Sequence, residues 1–104
     1  MDIEALREAC HHGCIEWTTH ILNRFVSRAF TRESVIHALN HGFVIEDYPE
    51  DVPYPSCLVL GRDVHDSPMH IVCAFDGTTI WMVTVYKPDD ADWNEDYSVR
   101  RKGD

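Results

Sequence analysis

The sequence predicts an α+β domain, with two to three N-terminal helices packed on one face of a small antiparallel meander sheet. Three observations carry that prediction. Apolar residues recur every three or four positions as far as Leu39, the spacing of helices with one buried face. Beyond Gly42 the pattern turns to short runs rich in Val, Ile, Phe, Tyr and Trp, the composition of strands. The links between those runs are too short for the crossovers a parallel sheet requires.

Each helix has a start, a stripe and a stop. Asp2 supplies the first N-cap, Ile3, Leu6, Ala9 and Cys10 form the stripe, and Gly13 stands where a helix-ending glycine belongs. A second helix begins at Thr18 or Thr19 and buries Ile21, Leu22, Phe25, Val26 and Ala29. Thr31 caps a third, which buries Val35, Ile36 and Leu39 and stops at Gly42.

Strands are predicted over 43–48, 56–62, 69–75 and 78–87. The proline-rich stretch 49–55 is a loop, because proline cannot donate to a ladder. Residues 65–68 form a turn, Asp76-Gly77 marks a hairpin and Pro88 ends the last long strand. The polar tail 89–104 makes one helical turn around Trp93, then a short strand or coil over 97–101. An odd-length hairpin loop puts Ile71, Cys73 and Phe75 with Trp81, Val83 and Val85 on one apolar face. His70, Thr84 and Tyr86 then share the other face. A two-residue loop would set His70 among Trp81, Val83 and Val85, so the odd loop, which strands no polar group in the core, is preferred.

At 104 residues the chain has the length of one domain (1–104), which excludes a separate cofactor-binding half. Its 44% hydrophobic content is that of a folded chain. Nine basic residues against eighteen acidic ones leave a net charge of −9, which speaks against a whole-surface polyanion binder. Nine of the acids, however, fall in two stretches, 46–51 and 89–96. The remainder is neutral, and Arg24, Arg28 and Arg32 share one side of a helical region, so a local phosphate site stays open. No apolar stretch approaches membrane-spanning length and the first residues lack a signal pattern, so a cytoplasmic protein without membrane contact is expected. Cys10, Cys14, Cys57 and Cys73 are then expected as thiols.

Few patterns carry chemistry. His20, Arg24 and Arg28 lie four apart on the second helix, a stripe able to combine acid–base work with a phosphate clamp; a solvated face paired to Glu16 and Glu33 is the plainer account. His70 beside Thr84 and Tyr86 forms a second set suited to proton transfer, unless these groups simply cap the core at a strand end. Arg100, Arg101 and Lys102 form the one basic run. The run from Cys10 to Cys14 holds four metal-ligand types but no second pair downstream to close a zinc site. The acidic stretches lack the spacing of a calcium loop. Neither metal nor cofactor is expected. Nucleophile-elbow, phosphate-loop, dinucleotide and zinc-protease motifs are absent.

In order along the chain stand T-T-H-I-L-N-R, H-A-L-N-H-G, C-L-V-L-G, M-H-I-V, T-V-Y-K-P-D and a late Trp with R-R. This series resembles the bacterial family known as domain of unknown function 4258, over 18–101; residues 1–17 lie outside it. The resemblance implies a RelE-like fold of the barnase–EndoU–colicin–RelE ribonuclease toxin group. It also implies metal-independent RNA cleavage through the ribose 2′-hydroxyl, and a cognate antitoxin as partner. Carried over by position, it marks His20, Arg24, His70, Thr84, Tyr86 and Arg100 or Arg101.

The expectation is therefore a small ribonuclease, the toxin of a toxin–antitoxin pair. His20 or His70 would move the proton, Arg24, Arg28 and Arg100 or Arg101 would hold the phosphate, and Thr84 and Tyr86 would orient it. The rival expectation is a catalytically silent interaction or regulatory protein, an immunity protein or degenerate family member, whose acidic loops meet a protein partner. A third is a thiol or metal sensor at Cys10 and Cys14.

Overall fold

The computed structural model describes residues 1–27 and 30–101. It is an α+β fold of three helices and five strands, in the order α1 (Ile3–His11), β1 (Ile15–Trp17), α2 (Thr19–Val26), α3 (Arg32–Asn40), β2 (Phe43–Tyr48), β3 (Ser56–Arg62), β4 (Pro68–Phe75) and β5 (Ile80–Tyr86). The caps are those the sequence offers. The Asp2 carboxylate accepts from the Glu4 N–H, Thr18 from that of Ile21, and Thr31 with Ser34 closes a reciprocal capping box. Gly13 ends α1 with φ of 73°, a conformation that disfavours side chains. The stripe of α2 ends at Phe25, for Val26 is 81% exposed. Ala29 lies outside the described residues.

β2 to β5 form the expected antiparallel meander, but the sheet as a whole is mixed, in the order β1-β5-β4-β3-β2. The strand the sequence reading missed is β1, which runs parallel to β5 with Ile15 opposite Ile80 and Trp17 opposite Met82. Three residues are too few for a periodic signal. Their alternation Ile-Glu-Trp becomes a strand because the free edge of β5 needs hydrogen-bond partners. Bonds from the Ile80 N–H to the Cys14 carbonyl (2.9 Å) and from the Thr18 N–H to the Met82 carbonyl (3.2 Å) close it at both ends.

The core joins Leu6, Ile21, Val35, Ala38 and Leu39 of the helices to Val59, Ile71, Cys73, Ile80, Met82 and Val85 of the sheet. Gly61 sets how closely α3 lies on β3: a Cβ there would stand 2.0 Å from the Ala38 carbonyl oxygen. No side chain fits.

The β4–β5 hairpin corrects the predicted faces. Its loop, 76–79, has four residues, so Phe75 pairs with Ile80, Ala74 with Trp81 and Cys73 with Met82. A bulge at Val83 then shifts the register, and Val72 pairs with Thr84, Ile71 with Val85 and His70 with Tyr86. The extra residue lets Ile80, Met82 and Val85 all be buried beside Ile71 and Cys73. Trp81 and Val83, predicted in the core, lie half-buried on the opposite face instead. His70, Thr84 and Tyr86 do share that face.

Candidate functional site

The face of the sheet away from the core is partly roofed by the tail. A turn closed by the Trp93 N–H on the Asp89 carbonyl (3.1 Å) and a bridge between Trp93 and Arg100 fold residues 89–101 back. Trp93 is 3% exposed and meets the His70 ring edge-on, with centroids 4.4 Å apart. Leu58 and Leu60, outside the main core, are buried on this side in register with Val72 and His70. His70 itself has no exposed surface.

Both ring nitrogens of His70 are engaged. Nε2 lies 2.8 Å from the Tyr97 carbonyl oxygen, which can only accept, so Nε2 carries the hydrogen. Nδ1 then accepts from the Tyr86 hydroxyl at 3.2 Å. Burial pushes the imidazole below its ordinary value, against the weaker opposing effect of the Tyr97 carbonyl. Burial likewise raises the Tyr86 phenol. The chain presents that carbonyl through a non-glycine residue in the left-handed region, Tyr97 with φ of 65°, held by bonds to Asn94 and Asp90.

One ion pair borders this cluster. Arg100 donates from Nε and Nη2 to the two oxygens of Glu46 at 2.9 and 3.1 Å and lies 4.6 Å from the Trp93 ring centre. The Tyr48 hydroxyl donates to the same carboxylate. Burial opposes ionisation of Glu46, but Arg100 and Tyr48 together outweigh it and hold the carboxyl below its usual range.

The predicted site residues separate into groups. His70 and Tyr86 come together under the tail, with Arg100 of the tail beside them. Thr84 lies two pairs along, its hydroxyl buried without a partner among the described residues. Arg101 is exposed, its Nε on the Asp90 carbonyl at 2.7 Å. His20 and Arg24 are exposed on α2, and among the described residues no side-chain hydrogen bond or ion pair engages either. Arg28 lies outside the described residues. The run from Cys10 to Cys14 is dispersed: Cys10 is buried, His12 pairs with Glu8 at 2.8 Å, and Cys14 is half-buried. Among the described residues no three His, Cys, Asp or Glu side chains gather as a metal site would require. No helix among them is long and apolar enough to cross a membrane.

Two open concavities were not foreseen. A groove of about 570 Å³ crosses the uncovered part of the outer face, between β4–β5 and the proline-rich loop. Val72, Ala74 and Val83 line it with Tyr54 and Trp81, whose rings stack at 6.2 Å, and with Asp51. A smaller depression of about 480 Å³ lies where α3 ends, lined by the paired rings of His37 and His41 together with Arg62 and Asp63. The P-Y-P segment was the available signal for the groove, since it holds an aromatic residue in a loop that cannot join the sheet. Trp81 could be placed only once the four-residue loop, which sets it opposite Ala74, was known.

The family model described as Domain of unknown function (DUF4258) matches residues 17–87, from the end of β1 to just past β5. That is more than half of the chain, and the chain belongs to this family. The match includes His20, Arg24, His70, Thr84 and Tyr86, while the tail that covers His70 lies beyond it. No curated protein and no solved structure matches the chain.

Proposed function

We propose that this domain is a binding module that engages a basic protein partner through the acidic margin of its outer sheet face. The observation that carries the reading is the closure of His70. The histidine best placed for chemistry is fully buried, with one nitrogen on a backbone carbonyl and the other on Tyr86. Its flanking arginine is already neutralised by Glu46. A general base needs hydrogen-bond reach to its substrate, and a phosphate clamp needs an unengaged guanidinium. The cluster offers neither and instead ties the tail to the sheet. Around it stand acids from both stretches, which favours a cationic partner.

A second reading rests on a different observation. His20 and Arg24, exposed one turn apart on α2 with no intramolecular partner among the described residues, would supply the proton transfer and phosphate contact of a RelE-like ribonuclease, with an antitoxin as partner. One pair of assays separates the two. The purified chain is incubated with total bacterial RNA, and in parallel used to capture proteins from an extract at rising salt. Intact RNA, with one basic protein retained at low salt and released at high salt, is the expected result. RNA fragments ending in 2′,3′-cyclic phosphate, lost in His20→Ala or Arg24→Ala, would overturn the binding-module reading in favour of the nuclease.

A further inference from the structure

We propose that the groove beside Tyr54 and Trp81 seats an arginine or lysine side chain of a basic partner segment, an inference that rests on the binding-module reading and gives it a location. The volume, about 570 Å³, is within the ~300–1,000 Å³ range of pockets that hold side chains and small ligands. Val72, Ala74 and Val83 give an apolar surface suited to the methylene stem of such a side chain. Tyr54 and Trp81 give aromatic surface for its charged head. The rings are nearly parallel, at 17°, with centroids 6.2 Å apart. Two stacking contacts of ~3.5 Å each need about 7 Å, so no planar base or head group slips between them. The cation lies across their outer surfaces.

Among the described residues, the one charged side chain that lines the groove is acidic. Asp51 lines it; one carboxylate oxygen accepts from Ser56, and the other has no bond among the described residues. Glu16 is the ladder partner of Trp81, so it stands on the same row of the sheet, exposed and without an ion pair among the described residues. Asp76 lies at the turn end of the same strand pair, its carboxylate held by the backbone N–H groups of Thr79 and Thr78. No Lys, Arg or His among the described residues lines the groove. A phosphate would find no cationic donor there, whereas a guanidinium or ammonium finds aromatic surface and carboxylates together.

The test is nuclear magnetic resonance on the full chain titrated with an acetylated, amidated Gly-Arg-Gly-Arg-Gly peptide, with the citrulline version as the uncharged control. Saturable shifts of the Trp81 indole, the Tyr54 ring and the Val72 and Val83 methyls are expected, with the Trp93 indole unmoved. The citrulline peptide should bind at least about tenfold more weakly. Asp51→Asn combined with Glu16→Gln should cost a similar factor, and Tyr54→Ala, at an exposed loop position, should weaken binding while leaving the Trp93 signal native. Arginine peptide that binds elsewhere, with the groove signals still, overturns the groove but leaves the binding-module reading standing. Failure to bind anywhere overturns both. Shifts of the groove signals by oligouridylate and not by the peptide would assign the groove to nucleic acid and overturn the proposal.

Discussion

His70 shows how one side chain does structural work through chemistry that resembles catalysis. A buried imidazole between a phenol and a carbonyl fixes its tautomer and joins β4, β5 and the tail in a single chain of hydrogen bonds. Because burial lowers its folded-state pKa, the unfolded chain takes up the proton first as pH falls. Stability is thus expected to be full above about pH 6.5 and to decline as pH drops below it, towards the folded-state value. His70→Phe should remove that slope and cost about 2–3 kcal/mol at pH 7.5, since the Tyr86 hydroxyl and Tyr97 carbonyl lose their partner. Urea unfolding of both proteins at pH 7.5 and 5.5 measures the effect; parallel pH profiles would assign the slope to another group. Glu46, held low by Arg100 and Tyr48 against its burial, adds a separate loss at lower pH, as the chain falls through the carboxylate range. Cysteine reactivity divides just as sharply. Cys10, Cys57 and Cys73 are buried, with the Cys10 thiol raised by burial to about 11. Titration with a thiol reagent should show one fast group, abolished by Cys14→Ser, and three that react only on unfolding.

At the scale of elements, two contacts decide the architecture. α3 crosses β3 where Gly61 leaves its backbone bare, and a methyl group there collides with the Ala38 carbonyl. Gly61→Ala should therefore destabilise by about 3 kcal/mol, read as a lowered midpoint in thermal or urea unfolding. An unchanged midpoint would mean that α3 can lift at little cost. The tail is anchored mainly by burial, not by charge. Trp93→Ala should cost about 3 kcal/mol or more and speed amide exchange in 89–101. Arg100→Gln, removing an ion pair whose arginine side chain is 59% exposed, should cost less than about 1 kcal/mol. If the arginine substitution proved the more damaging, the tail would be an electrostatic strap. The helices and meander strands were legible because caps, Gly13 and the change of period are local signals. β1 and the Val83 bulge were not, since each exists only to satisfy a neighbour distant in sequence.

Over the whole molecule, the charge has a place as well as a sign. The stretch 46–51 supplies Glu46 under the tail and Asp51 in the groove, and the stretch 89–96 lies in the tail itself. Both acidic stretches therefore border the outer face, although Glu46 is paired there with Arg100 and Asp47 with the N-terminal ammonium. Association with a cationic partner should weaken steeply as salt rises from 50 to 500 mM. Equal affinity at both ends of that range, measured by calorimetry with the captured partner, would place the interface elsewhere.

The sequence by itself determined the α+β class, the three capped helices, the four long strands and the family. The elements depend on residues within a few positions of one another, and the family on an ordered series of such short motifs. The sequence also grouped His70, Thr84 and Tyr86 on one face, but through an odd-length loop; the four-residue loop alone would set His70 opposite Val85, and the bulge at Val83 restores the grouping. Tertiary structure alone decided that the edge of β5 takes a parallel partner, that Trp81 faces outward, and that His70 is roofed by Trp93 instead of open to substrate. Those outcomes turn on long-range pairing and on a tail folding back across the sheet. No local pattern of residues encodes them.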